Sequence, residues 1–372
     1  MLQSPIRPAE PESWLRSSDA EMPVHFFAPD ALQARLSAFH RGFPGMVTYA
    51  VKANPSRSVI SRLCAGGVKG FDVASPQEIA LIRKLCPHAH LHYNNPVRSS
   101  AEIKAGIEGG VVSWSVDDPT ELEKLIAAGA TGEIAVRFKL PVEGAHYNFG
   151  AKFGAEEAQA VALLSRVAAA GLTPALTFHV GTQCADPNAY TTYMQKAAEI
   201  ARSADVQIAR LNVGGGFPSS RDGKALDLEP YFAAIRAGLS AFETAPELVC
   251  EPGRGLVADA FSYAVRVKSL RDGRAYLNDG IYGGLSEFPS MVIPVFRVIS
   301  REGHTPSANL MPRIVFGPTC DSLDQLPHAL ELPSDLKEGD WILFQSMGAY
   351  LTGVTTRFNG YGARETVEVD QL

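Results

Sequence analysis

The stretch MVTYAVKANPSRSVISRLCAGGVKGFDVAS, residues 46–75, sets the pattern for most of the chain. It begins with an apolar, β-branched segment (46–53), continues with apolar residues at three- and four-residue spacing, and ends in a second apolar segment (68–75). The spacing in the middle is typical of an amphipathic helix, and parallel strands need a long crossover of this kind. The stretch therefore predicts a parallel β-α-β unit.

The same alternation continues to residue 254. Further strand candidates lie at 90–95, 111–117, 133–140, 174–181, 208–216 and 247–254, and each interval contains a segment with helical periodicity. Eight strand–helix units of this type favour a closed (β/α)8 barrel of the TIM type. An open doubly wound sheet is the alternative.

Beyond residue 254 the pattern changes. The segment 258–271 alternates apolar and polar residues, and 274–280, 313–320 and 340–350 resemble further strands without helices between them. This predicts a second, mainly antiparallel β domain. The segment 22–40 combines a strand-like piece with a helix and could join the two domains. We assign 27–256 to the barrel, and 1–26 together with 257–372 to the β domain.

Composition and charge narrow the function classes. The chain has 46% hydrophobic and 20% charged residues, and its 34 basic and 40 acidic side chains give a net charge of -6. This balance, without a notable Lys/Arg run, disfavours nucleic acid as a partner. Neither a secretory signal nor an apolar run of the ~18 residues that span a bilayer is present, so we expect no membrane association and a cytoplasmic location. The scattered cysteines predict neither disulfides nor a metal site.

Chemically distinctive residues lie at or near the carboxyl ends of the predicted strands. In a (β/α)8 barrel these ends form one rim, which carries the active site. The residues in question are Lys52, Asp72, Arg137, His179, Gly214–Gly216, Glu251 and Arg254.

Lys52 lies in the apolar run YAVKANP and is expected to be mostly buried. Burial penalises a charged amine and suits a lysine that forms an imine. A lysine that reaches solvent at the rim is the alternative. Gly214–Gly216 would let backbone N–H groups approach a phosphate, and Arg254 could bind the same anion. Tight turns and a local Glu251–Arg254 salt bridge explain these residues equally well.

Glu251, His179 and Cys320 complete the candidate chemistry. A carboxylate that keeps a pyridine nitrogen protonated makes pyridoxal phosphate an electron sink, and His179 could pack against the ring. Cys320 is followed by Asp321 in GPTCDSLD, which suggests a proton donor beside a cation-binding carboxylate. A core histidine and a buried, inert cysteine are the alternatives.

Eight motifs occur in one order between Tyr49 and Tyr350: YAVKANP, FDVAS, HVGTQ, GGGFP, EPGR, NDGIYGG, GPTCDSLD and GAY. In that order and spacing the chain resembles the group IV decarboxylases of the alanine-racemase fold (fold type III), among them ornithine and diaminopimelate decarboxylases. The resemblance implies pyridoxal 5'-phosphate as cofactor, a basic amino acid as substrate, and a homodimer with shared active sites.

The resemblance also implies roles for the cofactor-binding residues. Lys52 would form the Schiff base, Asp72 would be the acid beside it, and Arg137 would lie near the cofactor hydroxyl. His179 would stack on the ring, and Glu251 would bind the pyridine nitrogen.

The phosphate would be bound by a second set of residues from the same motifs. This set consists of Thr182, Gly215, Gly216, Arg254 and Tyr350. By the same resemblance, Tyr350 would come from the second subunit, as would Cys320 as proton donor and Asp321 as ligand for the distal amine. Tyr282 would line the substrate pocket.

The identity of the substrate rests on few residues. Cys320-Asp321-Ser322 is the ornithine-type version of a motif that reads C-E-S in diaminopimelate decarboxylases, which favours L-ornithine and the formation of putrescine for polyamine biosynthesis. Ornithine decarboxylases also carry a second acid after the segment that contains Tyr282, whereas here Glu287 is the only acid nearby, and it either binds the distal end of the substrate or is a surface residue. Lysine, diaminopimelate and carboxynorspermidine therefore stay open as substrates.

Two further interpretations assign the chain a different activity. An amino-acid racemase needs a second base, typically a tyrosine, on the face where Cys320 is expected, so C-D-S-L-D disfavours it. A non-catalytic regulatory homologue, similar to the antizyme inhibitors, is disfavoured because Lys52, Glu251, Arg254 and Cys320 are all present.

Overall fold

The structure is a computed structural model that describes residues 8–140 and 152–372. Its residues form two compact units. The barrel unit comprises Arg35–Pro218 and Leu226–Gly255, and the β unit comprises the described residues up to Ala34, Ser219–Ala225 and Leu256–Leu372. The parts of the predicted domains at 1–7 and 141–151 lie outside the described residues.

The strands are, in chain order, β1 (Val24–Phe27), β2 (Met46–Ala50), β3 (Gly70–Val73), β4 (His90–Tyr93), β5 (Val111–Val116), β6 (Glu133–Arg137), β7 (Thr173–Thr177), β8 (Arg210–Asn212), β9 (Glu247–Cys250), β10 (Phe261–Arg271), β11 (Arg274–Leu277), β12 (Phe296–Ile299), β13 (Leu310–Phe316), β14 (Leu330–Pro333), β15 (Trp341–Phe344) and β16 (Glu365–Glu368). The helices are α1 (Pro11–Ser17), α2 (Pro29–Gly42), α3 (Arg57–Ala65), α4 (Pro76–Leu85), α5 (Ser100–Glu108), α6 (Pro119–Ala127), α7 (Glu157–Ala169), α8 (Asn188–Ser203), α9 (Glu229–Gly238) and α10 (Arg254–Val257). None of these helices is long and apolar enough to cross a membrane.

The barrel unit is a closed parallel barrel of strands β2 to β9 in sequential order. Each strand pairs in parallel with the next, and β2 pairs with β9 through Met46 with Val249 and Val47 with Cys250. Every predicted barrel strand is present, so the prediction of a (β/α)8 barrel is confirmed and the open sheet is excluded. The continuous apolar runs follow from this topology, since parallel strands are covered on both faces.

Side-chain caps begin the helices α4 and α5, which follow β3 and β4. The Ser75 hydroxyl accepts a hydrogen bond from the Glu78 N–H at the start of α4, and Ser99 and Glu102 form a reciprocal capping box at the start of α5. Such caps satisfy N–H groups that the first helical turn leaves without partners. These two caps fix the turns that follow β3 and β4 at the rim.

The β unit is built on an eight-stranded sheet with the order β12-β15-β10-β11-β13-β14, to which β1 and β16 are attached. Two pairs, β1 with β16 and β11 with β13, are parallel, and the other pairs are antiparallel. The prediction of a mainly antiparallel β domain is therefore confirmed. The four predicted segments supply β10, β11, β13 and β15, whereas β12, β14 and β16 were not predicted.

The glycines after β8 adopt a backbone that other residues rarely take. Gly214 has a φ of +71°, and a Cβ on it would lie 2.2 Å from the Phe178 carbonyl oxygen. Gly171, between α7 and β7, has the same φ of +71° but would meet nothing within 4 Å. Substitutions at the two positions therefore separate the free-energy cost of the backbone conformation from that of steric overlap.

We expect Gly171→Ala to lower the thermal unfolding midpoint by about 2–4 °C, since alanine at a left-handed φ costs about 1 kcal/mol. Gly214→Ala should lower it by at least twice as much, because the overlap with Phe178 adds to the same backbone cost. Both midpoints are measured on the cofactor-free protein by circular dichroism. Equal losses in the two variants would contradict the close approach at Gly214.

Candidate active site

Lys52 lies in a single 3-10 turn, Val51–Ala53, that follows β2 directly. Its Nζ is 3.2 Å from Oδ2 of Asp72, which is 2% exposed in β3. The pairing of Ala50 with Asp72 between the two strands brings the residues together. The Lys52 side chain is 48% exposed, so the expectation that it is mostly buried is wrong. Val51 and Ala53, its neighbours in the turn, are buried in the core, whereas the Lys52 side chain is not.

Glu251 follows β9 and is 7% exposed. Its Oε2 accepts a hydrogen bond from the Asn94 side-chain amide and a second one, at 3.4 Å, from the Asn212 amide. Burial raises the pKa of Glu251 to about 7; the negative charge of Asp72 adds to this, and Lys52 and Arg137 oppose it. The site therefore contains a carboxylate that changes its charge near neutral pH.

The loop after Glu251 packs against the turn that carries Lys52. The Ala50 N–H donates to the Pro252 carbonyl at 3.2 Å, and a Cβ on Gly253 would lie 2.8 Å from the Ala53 Cβ. Only glycine fits so close an approach. Arg254, 6% exposed, is the first residue of α10, so EPGR places a buried guanidinium three residues after the carboxylate.

Arg137 and His179 contribute cationic and aromatic groups from neighbouring strands. Arg137 ends β6, and burial lowers its pKa, an effect that Glu251, Asp117 and Asp72 oppose in that order. His179 lies two residues after β7, and its Nδ1 accepts a hydrogen bond at 3.0 Å from the Gly181 N–H. Burial, Arg137 and Lys52 lower the pKa of His179 well below its ordinary value. The ring is therefore neutral, with its proton on Nε2.

The glycines near His179 lie so close to neighbouring atoms that a side chain on them would overlap or crowd those atoms. A Cβ on Gly215 would lie 3.0 Å from the Glu251 carbonyl oxygen and 3.1 Å from His179 Nε2, and one on Gly216 would lie 2.5 Å from the Gly181 carbonyl oxygen. Thr182, half-buried, follows this turn. The glycine backbone thus packs directly against the residues that surround His179, and its contact with a phosphate stays a prediction.

These residues fit pyridoxal phosphate. An aldehyde needs an amine such as Lys52, a protonated pyridine nitrogen needs a carboxylate such as Glu251, and a phosphate needs N–H groups and a cation. The rim supplies all three, together with a neutral histidine. Asp72 Oδ1 and Asn94 Oδ1 are buried and accept no hydrogen bond from the described residues, as polar atoms at a ligand site often do.

In the β unit, Cys320 and Asp321 lie in a turn after β13. The Tyr282 hydroxyl donates to Asp321 Oδ2 at 2.5 Å, and the Leu323 N–H donates to Oδ1 at 2.9 Å. Both contacts lower the pKa of Asp321. Cys320 is exposed, and its thiol and N–H donate to Asn359 Oδ1 at 3.4 and 3.2 Å. The alternative of a buried cysteine is therefore wrong, because the residue lies in an exposed turn.

Asp324, which is 1% exposed, fixes this turn. Its Oδ1 accepts from the Ile281 N–H at 2.9 Å, and its Oδ2 accepts from the Thr319 N–H and hydroxyl at 3.1 and 2.8 Å. The backbone N–H of Gly317 donates to its carbonyl at 2.7 Å. One buried carboxylate thus joins the loop that carries Tyr282 to the loop that carries Cys320.

Glu287 and Tyr350 occupy other parts of the β unit. Glu287 Oε2 lies 3.1 Å from an Arg221 guanidinium nitrogen, with side-chain exposures of 23% and 10%. The acid that the sequence offered for substrate binding thus forms an ion pair within the chain. Tyr350, half-buried, has a left-handed φ of 59° in the loop after β15.

Sequence reasoning missed Asn94, Asn212 and Asp324. The first two follow or end strands of the barrel and belong to the same rim as the residues that were found. The repeated asparagine of HLHYNN at 90–95 was an available signal, because side-chain amides at a strand end also carry chemistry. The contact of Asp324 with the Ile281 N–H had no signal in the sequence, since that partner lies in a distant segment.

The closed parallel barrel and its rim define an enzyme of the pyridoxal-phosphate-dependent fold type III class. The family model for the pyridoxal-binding domain of pyridoxal-dependent decarboxylases matches residues 30–258. The chain belongs to this decarboxylase family, and pyridoxal phosphate is its cofactor.

Known proteins are similar over most of the chain. Ornithine decarboxylase of Mus musculus is 30% identical over 339 residues, which cover 84% of this chain and 73% of the relative. Antizyme inhibitor 2 of Xenopus laevis is 31% identical with the same coverage. The structure of lysine/ornithine decarboxylase complexed with putrescine from Vibrio vulnificus superposes with a TM-score of 0.82 at 26% identity, covering 95% of this chain and 96% of the other.

The raised pKa of Glu251 makes the stability of the cofactor-free protein depend on pH. The folded state keeps the proton up to about pH 7, whereas an unfolded glutamate loses it near its ordinary value of 4.5, so stability is lost as the pH rises between the two values. Relative to Glu251→Gln, the wild type should lose up to about 3 kcal/mol of unfolding free energy across this window. Thermal unfolding from pH 4.5 to 8 measures the difference.

Glu243→Gln is the matched control, because Glu243 is exposed and four residues before β9. It should follow the wild type at every pH. If Glu251→Gln follows the wild type as well, the carboxyl titrates at its ordinary value and the assigned burial effect is wrong.

Proposed function

We propose that this decarboxylase converts L-ornithine to putrescine, in the cytoplasm, as a step of polyamine biosynthesis. The observation that carries the proposal is Asp321, a carboxylate that two hydrogen bonds hold in its ionised form. A fixed anion suits the distal ammonium of a basic amino acid. Its neighbour Cys320 supplies the proton that the reaction needs.

The cofactor site is proposed to use Lys52 for the aldehyde, Glu251 for the pyridine nitrogen, and Arg254 with Gly215 and Gly216 for the phosphate. Thr182 and Tyr350 are assigned to the phosphate, and Asp72, Arg137 and His179 to the surroundings of the lysine, hydroxyl and ring. When bound, pyridoxal phosphate takes up the electrons left as the Cα–carboxylate bond breaks. The domain division at 27–256 and at 1–26 with 257–372 is part of this proposal.

The chain's own residues then control binding and protons. Lys52, beside the Asp72 carboxylate, is positioned to exchange with the incoming substrate amine. After carbon dioxide leaves, Cα needs one proton. The Cys320 thiol donates a hydrogen bond to Asn359 Oδ1 and so carries a proton to give; solvent restores it after transfer to Cα.

Cys320 and Asp321 are proposed to act in the active site of a second copy of the chain, in a homodimer. The exposed thiol and the exposed neighbour Leu323, 71% accessible, support an additional covering surface there. Tyr282 would line the same substrate pocket through its contact with Asp321.

Lysine is the second candidate substrate, and the Arg221–Glu287 ion pair favours it. Because Glu287 is bound to a guanidinium, Asp321 is left as the proposed acid for the distal amine. A single carboxylate specifies chain length less strictly than two. The V. vulnificus relative, whose name includes both lysine and ornithine, has similar breadth. Diaminopimelate and carboxynorspermidine, the other candidates, carry additional groups for which no ligand is proposed.

The substrate assignment predicts a ranking. Carbon dioxide release should give the highest kcat/KM with L-ornithine, followed by L-lysine, with arginine, diaminopimelate and carboxynorspermidine lower. Asp321→Asn should reduce kcat/KM for ornithine by about 100-fold, because it removes a charge-assisted contact. Ser322→Ala, the adjacent exposed position, is the control. A preference for any other substrate would overturn the assignment.

The role of Lys52 is checked independently. Visible cofactor absorbance should be lost in Lys52→Ala.

The shared site predicts complementation between inactive subunits. Lys52→Ala and Cys320→Ala should each form no putrescine alone. Random mixing of the two should restore about a quarter of wild-type activity, because half of the dimers are hybrids with one intact site of two. Hybrid formation is verified by differently tagged subunits. Verified hybrids without activity would place Cys320 in its own subunit's site or outside the reaction.

A further inference from the structure

Two asparagine amides converge on one oxygen of Glu251. Asn94, from the end of β4, and Asn212, from β8, both donate to Oε2, and both are nearly buried, at 8% and 5% exposure. An ionised carboxylate is an acceptor only, so both amides must present their nitrogens to it. Asn94 Oδ1 consequently lies buried with no hydrogen-bond partner among the described residues.

A buried arginine fixes the backbone on both sides of Asn94. Arg98, 2% exposed, donates to the carbonyls of Tyr93 and Asn95 at 3.1 and 2.7 Å, and to the Ser115 carbonyl in β5 at 2.6 Å. Its guanidinium also lies 5.6 Å from the Trp114 ring centre. The loop that presents the Asn94 amide is therefore rigid, which reduces the conformational entropy lost on binding.

Asn212 is fixed from the other side of the barrel. Its Oδ1 accepts a hydrogen bond from the Gly214 N–H at 2.9 Å, and the Glu251 N–H donates to the Gly214 carbonyl at 3.0 Å. The same asparagine thus joins the carboxylate to the glycine turn.

We propose that Asn94 and Asn212 are positioning residues for Glu251, and that they hold its Oε2 so that Oε1 is presented to the pyridine nitrogen of the cofactor. The inference rests on the proposed role of Glu251. Two donors on one oxygen restrict rotation of the carboxylate, and hydrogen bonds to an ionised carboxylate favour that form. The Asn212 amide lowers the pKa of Glu251 against the opposing effects of burial and Asp72. Bound this way, Glu251 accepts the pyridinium N–H without giving up either amide.

The test measures binding of pyridoxal phosphate, without any substrate. Apoenzyme is titrated with the cofactor between pH 5.5 and 9, and the dissociation constant is obtained from protein fluorescence and visible absorbance. In Asn94→Ala the affinity at neutral pH should fall about ten-fold, and the acid limb of the binding profile should move up by about one pH unit, because Glu251 ionises less readily without the donor. Asn212→Ala should shift the limb in the same direction by less, because its contact is longer.

Asn94→Asp tests whether the Asn94 side chain acts as a hydrogen-bond donor or only fills space. It keeps the shape of the side chain but replaces the amide by a second carboxylate, so it should bind the cofactor more weakly than Asn94→Ala. If the side chain only fills space, Asn94→Asp will bind like the wild type, which overturns the proposal. Asn309→Ala, an exposed asparagine of the β unit, is the control and should match the wild type.

Glu251→Gln distinguishes failure of this inference from failure of the proposed site. If Glu251→Gln retains wild-type cofactor affinity, then Glu251 does not bind the pyridine nitrogen, and both proposals fall. If Glu251→Gln weakens binding while folded Asn94→Ala keeps both the wild-type affinity and the wild-type pH limb, the role of Glu251 stands and the positioning role of Asn94 is wrong. Circular dichroism of each apoenzyme confirms folding.

Discussion

Closure of the barrel between β2 and β9 is the constraint on which the site depends. Lys52 and Glu251 are far apart in the sequence, and they come together because the first and last barrel strands pair. The Thr48 hydroxyl donates to the Cys250 carbonyl at 2.9 Å, and the Ala50 N–H donates to the Pro252 carbonyl, so closure extends beyond the strand pair into the loop that follows Glu251. The entropy lost in joining distant segments grows only slowly with their separation, so a few hydrogen bonds with the apolar contacts around them can fix a long-range pair. A shift of one residue in the register of this junction would turn the side chains of one strand to the opposite face relative to those of the other.

Charge at the rim is the second constraint, and each charged group there sets the state of the others. Asp72 and Lys52 form a close ion pair, and Glu251 lies near enough to both for their charges to influence its pKa in opposite directions. Arg137 favours ionised Glu251 and disfavours charged His179. The outcome is one neutral aromatic ring beside one titratable carboxyl, which suits an electron-poor cofactor ring that needs a flat neighbour and an anion. Because these groups come from different strands, this pattern of charges depends on the closed barrel.

The sequence predicted the elements well and their side-chain partners poorly, and the reason is physical. Periodicity and strand-end position depend on a few neighbouring residues, so the barrel, its rim and the β unit could be anticipated. Side-chain partners depend on register between distant strands, such as the shift between Leu91 and His92 where β4 pairs with β5. Asn94, which contacts Glu251, lies just after this irregularity in the chain. The exposure of Lys52 was misjudged because an apolar run predicts a buried strand but not the turn that ends it.

In the β unit, too, the contacts that an acidic side chain already makes bear on its role. Asp324 is 1% exposed and accepts hydrogen bonds from two backbone N–H groups and a hydroxyl, and it therefore organises its loops from a buried position. Asp321, three residues earlier, accepts two hydrogen bonds and stays half-exposed, so its free lone pairs can still meet a cation. Glu287, in contrast, already binds Arg221. A substrate ammonium would have to compete with this guanidinium, which belongs to the same chain and loses no translational entropy when it binds. The burial of Asp324 and the guanidinium bound to Glu287 thus set these two acids apart from Asp321, the acid proposed above for the substrate amine.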